Sequence, residues 1–332
     1  MNTLYTYIPS LEHRFHDHPE RPGRLDALQL GIIPGIEEIQ AAAASFDDVS
    51  RVHTPAMIEQ LEAWSAEGPG IIDHAPTYVT PTSYKDALMA VGAVLACTRA
   101  VQRGDARRAF ALVRPPGHHA EPHRSMGFCL FSNAAIAAKT ALAEGLERVA
   151  VVDFDVHHGN GTQAALAVDP RAGFLSTHQE GIYPQSGSLS EMAHTGGRVI
   201  NVPLPSGTGE QGFGLLTERI ITPFVRKFRP QMLFVSAGYD AHWSDQLASL
   251  SMTAGGYYAI SRKLVELADE FCGGRIVFVL EGGYDALNVA NGVAAAFAAM
   301  TGAQQPDVPD ESPYGEPDIS KRLGDVISVN GL

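Results

Sequence analysis

A chain of 332 residues with 45% hydrophobic composition can bury a large core and fits one large α/β domain. Its 24 Lys and Arg against 37 Asp and Glu give a net charge of −13, the wrong sign for gripping phosphate backbones, which argues against direct nucleic-acid binding. The opening residues lack a basic segment followed by an apolar one, the most apolar stretch (87–97) is too short to span a bilayer, and Cys97, Cys129 and Cys272 show no metal-ligand or redox spacing; the expectation is a soluble, cytoplasmic protein without disulfides and without membrane contact.

Along the chain, helix-like stretches at 84–103, 132–144, 211–228, 254–271 and 285–300 alternate with short apolar runs rich in β-branched residues. The runs are FALV (110–113), VAVVDF (149–154), GFLST (173–177), QMLFVSAG (231–238) and RIVFVL (275–280), and they read as buried strands. Alternation of this kind predicts a parallel sheet with helices on both faces. No repeat and no low-complexity linker divides the chain, so one domain is expected over 1–302. The Pro-, Asp- and Gly-rich remainder, 303–332, is expected as a tail packed on the domain or at a subunit contact.

In open parallel sheets the chemistry gathers at the carboxyl ends of strands. Four predicted strands are followed there by RPPGHHAEPH, DFDVHHGNG, YDAH and EGGYD. Extended geometry with period two would turn Asp153, Asp155 and His157 to one side, and Asp240 follows another strand. A catalytic zinc takes about three N or O ligands and leaves one position open, which makes Asp155, His157 and Asp240 a candidate metal set. His118 and His119 follow a rigid Pro-Pro-Gly turn and suit proton transfer near neutrality. Tyr284, after two glycines, can donate to a developing oxyanion. The G-x-G-x-x-G match at 207–212 is discounted as a turn because Pro203 and Pro205 crowd it, and no G-x-S-x-G elbow occurs.

Read together, RPPGHHAEPHRSMGFC, VVDFDVHHGNGTQ, SAGYDAH, LEGGYD and the N-terminal HPERP with Arg24-Leu25 closely resemble the histone deacetylase superfamily, on the side of the bacterial deacetylase-like amidohydrolases and class II enzymes. The resemblance implies an arginase/deacetylase-like α/β fold with a central, mostly parallel eight-stranded sheet. It also implies zinc at Asp155, His157 and Asp240, with His118, His119, Asp153 and Tyr284 catalytic. Gly127, Phe128 and Tyr183 would line an acyl-lysine tunnel, supported by Asn160, His158 and Arg24, and a structural potassium ion would lie near Asp153, Asp155, His157, Ser176 and Thr177. Asn160 stands where class I members carry Asp, and Leu247 stands where an acidic residue selects polyamines in one branch. The implied activity is removal of acetyl or acyl groups from N-acyl-lysine or similar amines by metal-activated water. Acetylpolyamine hydrolysis, a catalytically weak acyl-recognition module and a two-manganese ureohydrolase are the alternatives, and a dimer or tetramer is a possible assembly.

Overall fold

The computed structural model describes residues 3–332. Among these residues, ten strands and ten α-helices follow one another. The strands are β1 (Thr3–Ile8), β2 (Ile36–Glu38), β3 (Gly70–Ile71), β4 (Tyr78–Val79), β5 (Arg108–Val113), β6 (Val149–Asp153), β7 (Ala172–Gln179), β8 (Val199–Leu204), β9 (Met232–Ala237) and β10 (Ile276–Leu280). The helices are α1 (Phe46–Val49), α2 (Pro55–Glu67), α3 (Ser83–Arg103), α4 (Asn133–Ala143), α5 (Asn160–Leu166), α6 (Glu210–Leu216), α7 (Thr222–Phe228), α8 (Ala254–Phe271), α9 (Ala286–Thr301) and α10 (Ser320–Asn330).

Eight strands form one sheet in the order β2-β1-β5-β10-β9-β6-β7-β8, and every pairing in it is parallel. Strands such as VAVVD and IVFVL are apolar at nearly every position because both faces of the sheet are covered. Side chains of α2, α3, α4 and α5 close one face, and those of α6 to α10 close the other. The predicted 211–228 helix is three segments: a π-helical turn at Thr217–Ile221 separates α6 from α7. Three strands of the large sheet, β1, β2 and β8, escaped the sequence reading. β1 (TLYTYI) mixes threonine and tyrosine with only two aliphatic residues, β2 (IEE) is a three-residue, largely exposed edge strand, and β8 contains Pro203, which an edge strand tolerates.

Two helices start on defined caps beside the site. Asp285 caps α9 by accepting from the Leu287 and Asn288 amides, so the strand, the Gly-Gly-Tyr turn and the helix form one short unit. Thr253 caps α8 in the same way through the Gly256 amide. From β6 the chain proceeds outward to β7 and β8, and from β9 it proceeds the other way to β10, yet β6 and β9 are neighbours. The crevice beyond their carboxyl ends is therefore a topological switch point, the place where such sheets bind ligands.

Candidate active site

Asp153 is the last residue of β6, and Asp155 and His157 lie in the bend after it. The period-two expectation for these three residues is corrected here: the strand stops too early to impose it. Backbone-to-carboxylate bonds set the ligands instead. Asp153 accepts from the Asp155 amide (3.1 Å), and Asp155 accepts from the amides of His157 and Gly282 (both 2.8 Å). Asp240, three residues beyond β9, accepts from the Val156 amide (3.0 Å). One ligand atom from each of Asp155, His157 and Asp240 can lie within 4.8 Å of the other two, and all three residues are buried.

Three observations fit this set to a cation. The Asp240 Oδ2 atom is buried and makes no hydrogen bond, although it lies 3.3 Å from His157 Nδ1. A carboxylate oxygen without a hydrogen-bond donor in a dry interior is costly, and a nearby positive charge relieves that cost. A Cβ on Gly282 would sit 2.1 Å from Asp240 Oδ2, and one on Gly238 would sit 2.1 Å from Asp155 Oδ2, so two glycines keep the cradle open. Burial disfavours a charged His157, but the Asp155 and Asp240 carboxylates outweigh it and push this imidazole up to about 9. The pocket thus attracts positive charge, which a metal would supply on displacing that proton.

The tandem histidines hang on a carboxylate that the sequence reading passed over. Glu281, the first residue after β10, accepts from the Gly117 amide (2.7 Å), the His118 amide (3.1 Å) and the Ser236 hydroxyl (3.0 Å). Its position at a strand end in LEGGYD was the available signal. His118 Nδ1 meets Asp153 (3.1 Å), and His119 Nδ1 donates to Asn160 Oδ1 (2.8 Å), because the Asn160 amide nitrogen instead donates to Glu121 (2.8 Å). That tautomer leaves His119 Nε2 with a lone pair. Burial works against charge on both rings. For His118, Asp155 and Asp153 outweigh it and raise the group to about 10. For His119, burial together with the neighbouring His118 and His157 holds it well below the ordinary histidine value. The surroundings thus favour the charged form of one imidazole and the neutral form of the other, 4.0 Å apart between ring centres.

Gly127, Phe128 and Tyr183, expected as tunnel walls, join His119, His157, Tyr284, Leu247, Ala75 and Pro76 around one cavity of about 240 Å³. Gly127 has φ +58°, and a Cβ there would meet the His119 ring at 2.5 Å, so only glycine fits. Phe128 also takes a left-handed conformation, φ 67°, with its amide bonded to Thr77 (2.9 Å). Asp73 accepts from the Gly127 amide (3.3 Å). Asp73 and Thr77 sit in the 71–80 loop, where the sequence offered no decisive side chain.

Arg24 lies behind the tyrosine turn. It donates to the carbonyls of Glu281 and Gly283, pairs with Glu20 (3.0 Å), and places its guanidinium 5.0 Å from the Tyr284 ring centre. Glu20 is also held by Nε and Nη2 of Arg114 (2.6 and 2.7 Å), so Glu20 of the HPERP motif centres a buried ion network with Arg24 and Arg114 that braces this turn. Asp245 accepts from the Tyr284 amide (2.8 Å). Burial, then the nearby Asp240, raises the Tyr284 phenol well above its ordinary value and keeps it a hydrogen-bond donor. His158 faces away from the ligands, bonding Ser186 (2.7 Å) and Gln163 (3.1 Å), and so fixes the loop that carries Tyr183. Ser176 and Thr177 lie on β7 beside Asp153; the Ser176 hydroxyl contacts His178 (3.1 Å) and that of Thr177 the Asp153 carbonyl (3.4 Å).

A model of the histone deacetylase domain matches residues 18–300. The chain belongs to the histone deacetylase family. Among similar proteins, a probable deacetylase of Archaeoglobus fulgidus is 42% identical over 297 residues, spanning 85% of this chain and 82% of the relative. The histone deacetylase-like amidohydrolase of Pseudomonas aeruginosa is 38% identical over 275 residues, 81% of this chain and 72% of its own. The solved HDA15 HD domain superposes with a TM-score of 0.88 at 29% identity, covering 99% of this chain and 95% of that one. The fold is accordingly the arginase/deacetylase-like one, and the family activity is that of a deacetylase or amidohydrolase. No helix among the described residues is long and apolar enough to cross a membrane.

Proposed function

We propose that this histone deacetylase family member is a zinc-dependent amidohydrolase that removes acetyl or longer acyl groups from N-acyl-lysine or a similar N-acyl amine. The observation that carries the reading is the convergence on one cavity of about 240 Å³ of the His119 ring, the Tyr284 phenol and His157 of the ligand set, in surroundings that favour an uncharged His119 and an un-ionised phenol. Zinc held by Asp155, His157 and Asp240 would polarise the acyl carbonyl and acidify a water beside it. Tyr284 donates to the carbonyl oxygen as negative charge develops there. His119 Nε2 takes the proton of the attacking water and returns it to the amine nitrogen as the C–N bond breaks, leaving a carboxylic acid and a free amine. His118, cationic against Asp153, stabilises the charge without moving a proton. The cavity lining contains no carboxylate that would select a polycation, which favours acyl-lysine over acylpolyamine. A potassium ion near Asp153, Ser176 and Thr177 is a further part of this proposal and rests on the resemblance.

The test is a panel of acetyl-, longer acyl- and trifluoroacetyl-lysine peptides beside acetylpolyamines, with and without chelation, together with metal analysis. Expected are one zinc per chain, chelator-sensitive turnover of lysine substrates, and a kcat lower by roughly two to three powers of ten in Tyr284→Phe. Two manganese ions per chain, or an unimpaired Tyr284→Phe enzyme, would overturn the proposal.

A further inference from the structure

The family match ends at residue 300, yet the chain beyond it reaches back to the site. The Asp310 side chain, 9% exposed, uses both oxygens: Oδ1 accepts from Trp243 Nε1 (2.7 Å), and Oδ2 accepts from the Ala254 amide (2.7 Å) and from His242 Nε2 (3.0 Å). Its partners flank the loop that follows Asp240. That loop closes on itself through Trp243 N to Met252 O and Met252 N to Ala241 O (both 3.0 Å), so one carboxylate clips its two ends together.

From the clip, a continuous chain of bonds runs inward. The carbonyl of His242 accepts from the Asp245 amide (3.0 Å), and Asp245 holds the Tyr284 amide (2.8 Å). His242 Nδ1 takes the Ser244 amide (3.2 Å) and contacts its hydroxyl (3.1 Å), and the Asn288 side chain of α9 donates to that same hydroxyl (2.9 Å). Ser244, His242 and Asp310 have the composition of a hydrolytic triad, but Nδ1 also carries a backbone amide and the hydroxyl is tied to Asn288. The set is a brace rather than a nucleophile. The segment bearing Asp310 is itself anchored downstream. Glu316 accepts from the amides of Gly209 (2.9 Å), Gln211 (3.0 Å) and Gly212 (2.9 Å), and α10 buries Leu323 and Val326 against the core.

We propose that the C-terminal segment is a working part of the active site and that Asp310 is its positioning residue. By clipping the loop after β9 it fixes Asp240 on one side and, through Asp245, the Tyr284 turn on the other. Neutral residues cannot replace it without loss, since its three donors converge on one carboxylate and an amide side chain would turn a donor toward one of them. Supports behind metal ligands typically change affinity or activity by about 10- to 100-fold. The inference rests on the zinc amidohydrolase reading for its kinetic and zinc-loss arms, whereas the emission of the metal-free protein is independent of it.

The experiment uses the full-length, zinc-loaded protein with Asp310→Asn, Trp243→Phe and the exposed-site control Lys321→Ala. Four quantities are read: kcat and KM on an acetyl-lysine peptide, the rate of zinc loss to a chelator, tryptophan emission of the metal-free protein, and Tm. Asp310→Asn should lower kcat about tenfold or more with KM within about twofold, speed zinc loss by a similar factor, and shift the Trp243 emission to the red. Trp243→Phe, which removes one donor and keeps the carboxylate, should speed zinc loss less but in the same direction, and it decides the matter if Asp310→Asn does not fold. Lys321→Ala should match the wild type. Wild-type kcat and zinc retention in a folded Asp310→Asn protein, whatever its Tm, would reduce Asp310 to a structural contact and overturn the proposal. An inactive wild-type protein that still binds zinc would instead refute the amidohydrolase reading, with zinc loss and fluorescence deciding the role of Asp310; in one that binds no zinc, an unshifted emission in Asp310→Asn would overturn it.

Discussion

Gly282→Ala should cripple cation binding while leaving the fold intact. Gly282 is not among the residues with positive φ, so its backbone accepts alanine and the substitution reads space alone. The added Cβ would lie 2.1 Å from Asp240 Oδ2 and 2.5 Å from Asp155 Oδ2. Neither carboxylate can simply rotate away, because Asp240 is held by the Val156 amide and Asp155 by the amides of His157 and Gly282. Overpacking of this kind costs about 1–3 kcal/mol. Displacing two ligands should also weaken zinc about 100-fold. At a zinc concentration near 100 times the wild-type Kd, bound metal stabilises the wild type by about 2.7 kcal/mol and the variant by only about 0.4 kcal/mol. Thermal unfolding across a zinc titration measures that difference. Gly324→Ala is the matched control: it lies inside α10 with nothing within 4 Å of a new Cβ, and should stabilise by about 0.5–1 kcal/mol. An unchanged zinc-dependent increment in Gly282→Ala would show that the two carboxylates do not form the cation site.

Three other outcomes are expected. His53 is buried and neutral, with Nδ1 on the Glu121 carbonyl (3.0 Å) and Nε2 accepting from the Ser132 amide (2.8 Å). Burial lowers it from 6.5 to about 4, so the unfolded chain binds the extra proton and stability, full above pH 6.5, is lost as pH falls toward 4, by about 3 kcal/mol. Tm measured over that range should therefore fall less steeply in His53→Gln, and parallel slopes would refute the assignment. Glu20→Gln leaves the buried Arg24 and Arg114 without their shared counter-charge and should cost about 3–5 kcal/mol, read as a Tm lower by roughly 5–10 °C. Asn160→Asp gives His119 an anionic partner and should move the acidic limb of the pH–rate profile upward; because it also faces Glu121, adding Glu121→Gln should recover lost stability. An unmoved limb would separate His119 from the proton transfer.

Much of this arrangement was legible because apolar runs ending in His, Asp or Tyr mark the carboxyl edge of a parallel sheet. The ligand, tandem-histidine and tyrosine segments all lie at that edge. What sequence hid was what holds them. Asp153, Asp155 and His157 are aligned by amide-to-carboxylate bonds rather than by strand periodicity, since β6 ends at Asp153. Gly282 reads as freedom for Tyr284, whereas its missing side chain makes room for two carboxylates. Glu281 and Asp245 stand within the quoted motifs or a few residues beyond them, and local pattern gives no reason to prefer them as anchors over any other buried acid. Asp310 is 68 residues from His242 in sequence, and only the folded chain brings them together.

The strand order has a consequence for synthesis. β10 lies between β5 and β9, and it is the last strand of the sheet to be made. Until residue 280 is available, the nascent chain holds two partial sheets, β2-β1-β5 and β9-β6-β7-β8, each with an apolar edge awaiting the same partner. The histidine turn belongs to one half and the ligands to the other. Chains interrupted before β10 should therefore be inactive and should expose two unpaired edges, the form most prone to strand-to-strand association.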